Sequence, residues 1–433
     1  MDADPAVRLK YAAKYAQTAN YWKYYIGQTK GLKRLDVYGQ KKALEDKFQK
    51  WVAADAKREA IYGDALGMMS DYYKSTDATE KGNVYALEAG LIGADITLFA
   101  FRFTRTYDAA MKQESEEGKS ATLNSFAGRA DGFFKDYDQA TDRDVLTQML
   151  KIYKKNIVAD QLPEIFGLID SKFKGDIDKF VAKLYTTSFL VDRAKLDAFM
   201  AKPSQKVYDK DLGVKLAQSM YGAYAASFQN AEQEKFDTGY RLFVDGLRKM
   251  QPNKAFYPDA NSTMRLTYGQ VGDYYPADAV HYDFVTTSNG ILEKKDNTNP
   301  EFVVDDKLDR LLRTKEFGQY ADKNGELITC FISNNDITGG NSGSPVINGD
   351  GQLIGLAFDG NWEAMSGDIA FEPELQRTIS VDIRYVMWVI DVYAGAKNII
   401  DEIDFVKTRP VKKSDMQAEA PAAAPEVTEP KKK

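Results

Sequence analysis

Apolar residues recur at three- and four-residue spacing over 37–75, 83–115, 143–158 and 208–250, with charged residues between them. That spacing predicts amphipathic helices. In the second stretch, Leu87, Leu91, Ala94, Leu98 and Phe101 form the buried line of one helix across 84–101. This is the longest apolar run in the chain, but it contains Glu88 and Asp95. Each acid would cost roughly 2.5–3.5 kcal/mol at a bilayer centre, so a buried helix is expected and a membrane span is not. Asp142 or Asp144 is the expected cap of the third stretch. Only Pro5, Pro163 and Pro203 of the thirteen prolines fall in the first 250 residues, as long helices require. A helical domain is read over 1–250.

The pattern changes at Gln251-Pro252-Asn253. Residues 264–268 alternate apolar and polar, and 327–332 form a compact apolar run. Val346-Ile347 and Leu353-Ile354 flank Asn348-Gly349-Asp350-Gly351, a hairpin signal. An antiparallel barrel or sandwich is expected over 251–408, closed by a helix starting near Ser380 with Ile383, Met387, Ile390 and Ala394 on its buried face. The fold class is therefore α+β and multidomain. From about residue 409 the chain is rich in Pro, Ala, Glu and Lys without apolar period, and 409–433 is read as a disordered tail. The first residues carry no basic segment followed by an apolar one, so no secretory signal is read there.

Composition narrows the chemistry. The 433 residues are 44% hydrophobic and 28% charged, as in ordinary globular proteins. A net charge of −6 offers no global basic field for nucleic acid. One cysteine, Cys330, excludes an intrachain disulfide and a multi-cysteine zinc site; its apolar strand marks a buried thiol more than a nucleophile. One histidine, His281, is the only imidazole base the chain can offer.

The sharpest local signal runs from Thr338 to Val346, with Gly340-Asn341-Ser342-Gly343-Ser344-Pro345 as its core. It has the shape of the nucleophile loop of chymotrypsin-like serine peptidases. A serine attacking a carbonyl creates an oxyanion, and the N–H groups of the serine and of the glycine two residues before it can both reach that oxygen. A plain small-residue turn with a solvated Ser342 has the same composition. The loop is not the α/β-hydrolase elbow, because position 344 is Ser and a hairpin follows. The strand after that hairpin would line the pocket for the residue preceding the scissile bond, ending at Asp359 and Gly360. His281 lies 61 residues before Ser342, too close for the His of a first barrel, and is read as structural or surface.

Residues 339–348, together with Leu356-Ala357-Phe358-Asp359-Gly360-Asn361-Trp362-Glu363, resemble the bacterial dipeptidyl-peptidase 7/11 family of serine peptidases. The stretches 259–269, 377–386 and Ala19-Asn20-Tyr21-Trp22-Lys23 extend the resemblance over all but the tail. The resemblance implies a chymotrypsin-like double barrel with a helical cap inserted between its halves, and release of dipeptides from free peptide N-termini. It also implies that the first barrel, with the catalytic His and Asp and a signal peptide, is expected upstream of Met1, so this chain carries the nucleophile half. Ser342 matches the nucleophile, and the N–H groups of Gly340 and Ser342 match the oxyanion hole. Asp359 matches the acid holding the substrate ammonium, and Asn20 resembles a cap asparagine touching the same group. Gly360 stands where members cutting after Asp or Glu carry Arg, which favours hydrophobic residues before the cut. Trp362 is expected in the pocket wall. No metal and no cofactor are implied. Family members are often dimeric, and periplasmic or at the cell surface of Gram-negative bacteria. The rival expectation is a catalytically inactive fragment, or a peptide-binding module with a helical cap.

Overall fold

The computed structural model describes residues 4–228, 230–257, 261–299 and 301–406, and the expected tail 409–433 lies outside them. Contacts divide the described chain into one unit of residues 4–23 and 38–257 and another of 24–37 and 261–406. Residues 24–37, placed with the helical domain on sequence grounds, thus cluster with the strand-bearing unit.

Among its described residues the first unit holds helices and no strand. The opening part of α1 (Pro5–Arg34) is followed by α2 (Val37–Ala53), α3 (Ala56–Tyr62), α4 (Ala65–Tyr85), α5 (Asp95–Met111), α6 (Glu116–Asn124) and α7 (Ala127–Asp136). Then come α8 (Gln139–Asn156), α9 (Glu164–Phe173), α10 (Ile177–Thr187), α11 (Arg193–Ala201), α12 (Gln205–Tyr208), α13 (Leu212–Ala226) and α14 (Gln233–Met250). Short oxygen-bearing side chains start many of them. Asp55, Ser115, Asp138, Asp176, Asp192 and Asp211 accept from first-turn N–H groups of α3, α6, α8, α10, α11 and α13. The core gathers Ile96, Phe99, Phe103 and Tyr107 of α5 against Leu146 and Leu150 of α8 and Phe180 and Leu184 of α10.

Two helix expectations are corrected here. The cap of α8 is Asp138, whose carboxylate accepts from Thr141 N–H at 2.8 Å, and neither Asp142 nor Asp144 takes that role. The single helix expected across 84–101 is broken. It ends in a π-helical turn at Ala86–Leu91, and α5 leaves at 91° to the preceding helical run. Asp142 causes the restart from 47 residues away. Its carboxylate accepts from Asp95 N–H at 2.6 Å, Ile96 N–H at 3.1 Å and the Tyr185 hydroxyl at 2.6 Å, serving the opening N–H groups of α5 that no helical turn can serve. Among the described residues no single helix is long and apolar enough to cross a membrane; the bent pair 56–111 matches by length and composition, yet much of its apolar face lies in the helical core.

The second unit is built on an antiparallel sheet. A hairpin of β1 (Tyr274–Ala277) and β2 (Val280–Tyr282) precedes β3 (Val285–Thr287), β4 (Ile328–Ser333), β5 (Pro345–Ile347), β6 (Leu353–Gly360) and β7 (Thr378–Asp382). The last five form one sheet in the order β3-β4-β7-β6-β5. Helices α15 (Asn289–Lys294), α16 (Asp306–Arg313), α17 (Ile383–Trp388) and α18 (Lys397–Ile400) complete the unit. Its core packs Leu311, Leu312, Phe317 and Leu327 against Met387 and Trp388.

The turn at 348–351 forms as expected, with Asn348 N–H donating to Gln352 O at 3.0 Å. The closing helix starts later than Ser380. Ser380 lies in β7 opposite Phe331 and Ala357, and Asp382 caps α17 by accepting from Arg384 N–H at 2.8 Å. Residues 264–268, expected as a strand, lie in no regular element; Met264, Leu266 and Tyr268 are exposed, and the neighbouring contact with the sheet is a single bridge between Val271 and Ser333. Alternation alone does not make a strand without an edge to pair with.

Burial pushes the Asp142 carboxyl up to about 6, against three donors that hold it down. Because this lies above the ordinary 3.8, the stability the group contributes is complete below about pH 4 and is lost as pH rises through 6. The melting midpoint of wild type minus that of Asp142→Asn should therefore fall between pH 4 and 7.5; a pH-independent difference would contradict it. Asp142→Ala should cost roughly 3 kcal/mol, since it strands two N–H groups and a hydroxyl in the core.

Candidate active site

The loop carrying Ser342 joins β4 to β5 and is folded by its own backbone. Asn341 N–H donates to Thr338 O at 3.2 Å, and Ser344 N–H donates to Asn341 O at 2.9 Å. The Asn341 side-chain oxygen accepts from Thr338 N–H at 3.1 Å. Gly340 sits at φ +111° and Gly343 at φ +83°, in a region that favours glycine. Two further bonds hold the loop to β6: Gly343 N–H donates to Ala357 O at 2.7 Å, and Ala357 N–H donates to Ser344 O at 3.0 Å.

These bonds use the N–H groups of Asn341, Gly343 and Ser344. Those of Gly340 and Ser342 have no acceptor among the described residues. A serine N–H and a glycine N–H two residues before it, both unspent, are the donors that an incoming carbonyl oxygen could use. The Ser342 hydroxyl itself lies 3.5 Å from Phe358 O, a long contact that leaves it available.

Strand β6 supplies the neighbouring groups. Its pairing with β7 shifts by one residue between Ala357 and Asp359. Such a bulge breaks the in–out alternation, and Phe358 and Asp359 are consecutively exposed. The Asp359 carboxylate accepts from Gly360 N–H at 2.7 Å and meets no cationic side chain among the described residues. A Cβ on Gly360 would stand 3.0 Å from the Ala364 Cβ, so the space there is real but tight.

The structure thus brings Ser342, Gly340, Asp359 and Gly360 together in the second unit. Asn20 is exposed on α1 and belongs to the first unit. Trp362, expected in a pocket wall, is 53% exposed, and Lys30 lies 5.9 Å from its ring centre. Burial pushes the Cys330 thiol up, which suits an inert strand residue. His281 is exposed on β2, its Nε2 2.6 Å from the Asp273 carboxylate and its ring stacked on Tyr275 at 4.6 Å. No hydrogen bond joins it to Ser342 among the described residues. A cleft of about 510 Å³ lies beside the loop, lined by Asn341, Ser344, Pro345, Tyr268 and Phe331. Sequence reasoning missed Asp368 and Tyr24 at the root of the loop, and gave Thr338 no role beyond its place at the head of the loop signal.

A model of the Peptidase S46 family matches residues 1–405. The chain belongs to the peptidase S46 family. It is 44% identical over 413 residues to Dipeptidyl-peptidase 7 of Porphyromonas gingivalis, covering 94% of this chain and 56% of that protein. It is 34% identical over 412 residues to an Asp/Glu-specific dipeptidyl-peptidase of Flavobacterium psychrophilum, covering 94% of this chain and 56% of the relative. The crystal structure of Porphyromonas endodontalis DPP11 in complex with the dipeptide Arg-Glu aligns with a TM-score of 0.80 at 32% identity, over 92% of this chain and 57% of that one. The chain thus spans a little over half the length of these relatives. The S46 membership and the DPP11 likeness agree with a helix-rich α+β fold carrying antiparallel sheet.

The positive φ of Gly340 gives a direct test. No atom lies within 4 Å of a Cβ placed there, so Gly340→Ala should strain the backbone alone. It should cost about 1–3 kcal/mol, read as a lowered denaturation midpoint of the second unit; an unchanged midpoint would mean that the loop does not hold this conformation.

Proposed function

We propose that this S46 chain carries the nucleophile half of a serine-type dipeptidyl aminopeptidase. The observation that carries the reading is the exposed Ser342 hydroxyl in a loop whose Gly340 and Ser342 N–H groups have no acceptor among the described residues. Ser342 Oγ attacks the carbonyl carbon of the second residue of a peptide, its proton passing through a His base to the departing amine, and the N–H groups of Gly340 and Ser342 receive the oxyanion. The C–N bond breaks, the shortened peptide leaves as an amine, and water releases the dipeptide from the acyl-serine. Asp359, exposed and without a cationic partner among the described residues, suits the free α-ammonium group, a charge-assisted contact that counts residues from the N-terminus. Asn20 is the proposed second contact to that group.

Gly360 offers no guanidinium to an acidic side chain, so hydrophobic residues are the proposed preference before the cut. The sheet of the second unit is proposed as half of a chymotrypsin-like double barrel, the other half bringing the His and Asp. A homodimer and a periplasmic or cell-surface location complete the reading, on family resemblance alone.

The second reading is an inactive peptide-binding chain, favoured because no base is hydrogen-bonded to Ser342 among the described residues. The 433-residue chain alone should not hydrolyse fluorogenic dipeptidyl substrates. Fused behind the N-terminal portion of the Porphyromonas gingivalis relative, it should do so, and Ser342→Ala should abolish the activity. Activity of the fusion surviving Ser342→Ala would overturn the proposal. Turnover by the chain alone, lost in Ser342→Ala, would overturn the half-site reading and promote His281 as the base. In the active fusion, Gly360→Arg combined with Ala364→Gly, which makes room for the new Cβ, should raise the preference for Asp or Glu over Leu before the cut at least tenfold. An unchanged preference would remove Gly360 from the pocket.

A further inference from the structure

The root of the Ser342 loop is tied to a second element that the proposed chemistry does not use. The Thr338 hydroxyl donates to Asp368 Oδ1 at 2.7 Å. The other oxygen of Asp368 faces the Tyr24 hydroxyl at 3.5 Å, and that hydroxyl accepts from Gln28 Nε2 at 3.0 Å. Tyr24 and Gln28 lie on the last turns of α1, which belong to the same unit as the loop.

Those turns are seated closely. A Cβ on Gly27 would come within 2.5 Å of Met365 Cγ, and one on Gly31 within 2.2 Å of the buried Ser366 hydroxyl oxygen. Arg34 closes the contact with Glu372 at 2.6 Å. Two glycines four residues apart thus lay one helix face on the 362–368 segment that follows β6, and fix where Asp368 stands. Asp368 also stands close enough to Asp336 for its charge to help raise that carboxyl pKa, behind partial desolvation as the main cause.

We propose that Asp368 is a positioning residue for Ser342: it latches Thr338, and through Thr338 the turn that presents the serine and its two unspent N–H groups. Thr338 is bonded to Asn341 in both directions, N–H to side-chain oxygen and O to N–H, so a displaced Thr338 carries the turn with it. The consequence for catalysis rests on the nucleophile reading above; the latch itself does not.

Hydrogen exchange on the 433-residue chain decides it. Thr338→Val and Asp368→Ala should each speed amide exchange in the peptide spanning 338–344 about fivefold, with Thr338→Ser restoring the wild-type rate and the melting midpoint unmoved. Wild-type exchange in both variants, or failure of serine to restore it, would overturn the latch. Ser342→Ala should exchange like wild type, which separates the two readings. In the active fusion, Thr338→Val should lower kcat about tenfold with KM within twofold, and Thr338→Ser should recover it; a change in KM alone would overturn the positioning role. A fusion that stays active as Ser342→Ala would sink the nucleophile reading while the exchange result still stands.

Discussion

The candidate site depends on one pair of backbone hydrogen bonds, Gly343 N–H to Ala357 O and Ala357 N–H to Ser344 O. They graft an irregular loop onto the middle of β6. One residue further along, the bulge at Phe358 turns both Phe358 and Asp359 outward. A serine and a carboxylate 17 positions apart in sequence thereby share a neighbourhood without either being buried. Without the graft the loop would still turn, because its glycines allow it, but nothing would relate its hydroxyl to Asp359. Loops gain chemical precision from the regular element that holds them.

What could be read from the sequence was local. The turn of 340–345 and the hairpin at 348–351 follow from glycine, asparagine and proline at fixed offsets, and a few residues suffice to specify them. The strand ending at Gly360 and the helical character of the first 250 residues follow from apolar period. What escaped was set by partners distant in sequence. Apolar period alone runs straight through 92–94, yet the helix breaks there because Asp142, itself mistaken for a cap of its own helix, offers its oxygens to Asp95 and Ile96. Residues 264–268 alternate as a strand would, and no edge receives them. The closing helix, expected to start near Ser380, begins at Ile383, because the sheet claims Ser380 from the other side.

The same limit explains the missed part of the site. Thr338, Asp368 and Tyr24 span more than 340 positions, and only Thr338 borders a motif. Gly27 and Gly31, inside a helix, look like weaknesses of about 1 kcal/mol each relative to alanine. The close approach of Met365 and Ser366 reverses that judgement: the missing side chains are the condition for the helix to sit where it does. Helix propensity assigns a cost to such residues, and tertiary packing decides their sign.

Charge divides the roles of the two acids near Ser342. Asp359 is exposed and meets no cation among the described residues, so an ammonium group arriving there displaces only water. Asp368 is bonded to Thr338, faces Tyr24 and lies within electrostatic reach of Asp336. A ligand cation drawn to Asp368 would have to compete with a formed hydrogen bond, whereas at Asp359 the carboxylate holds only its neighbour's N–H. Two carboxylates on adjoining segments thus differ in what their oxygens are already doing. That difference leaves one open to an incoming cation and ties the other to the loop, and residue type alone could not have separated them.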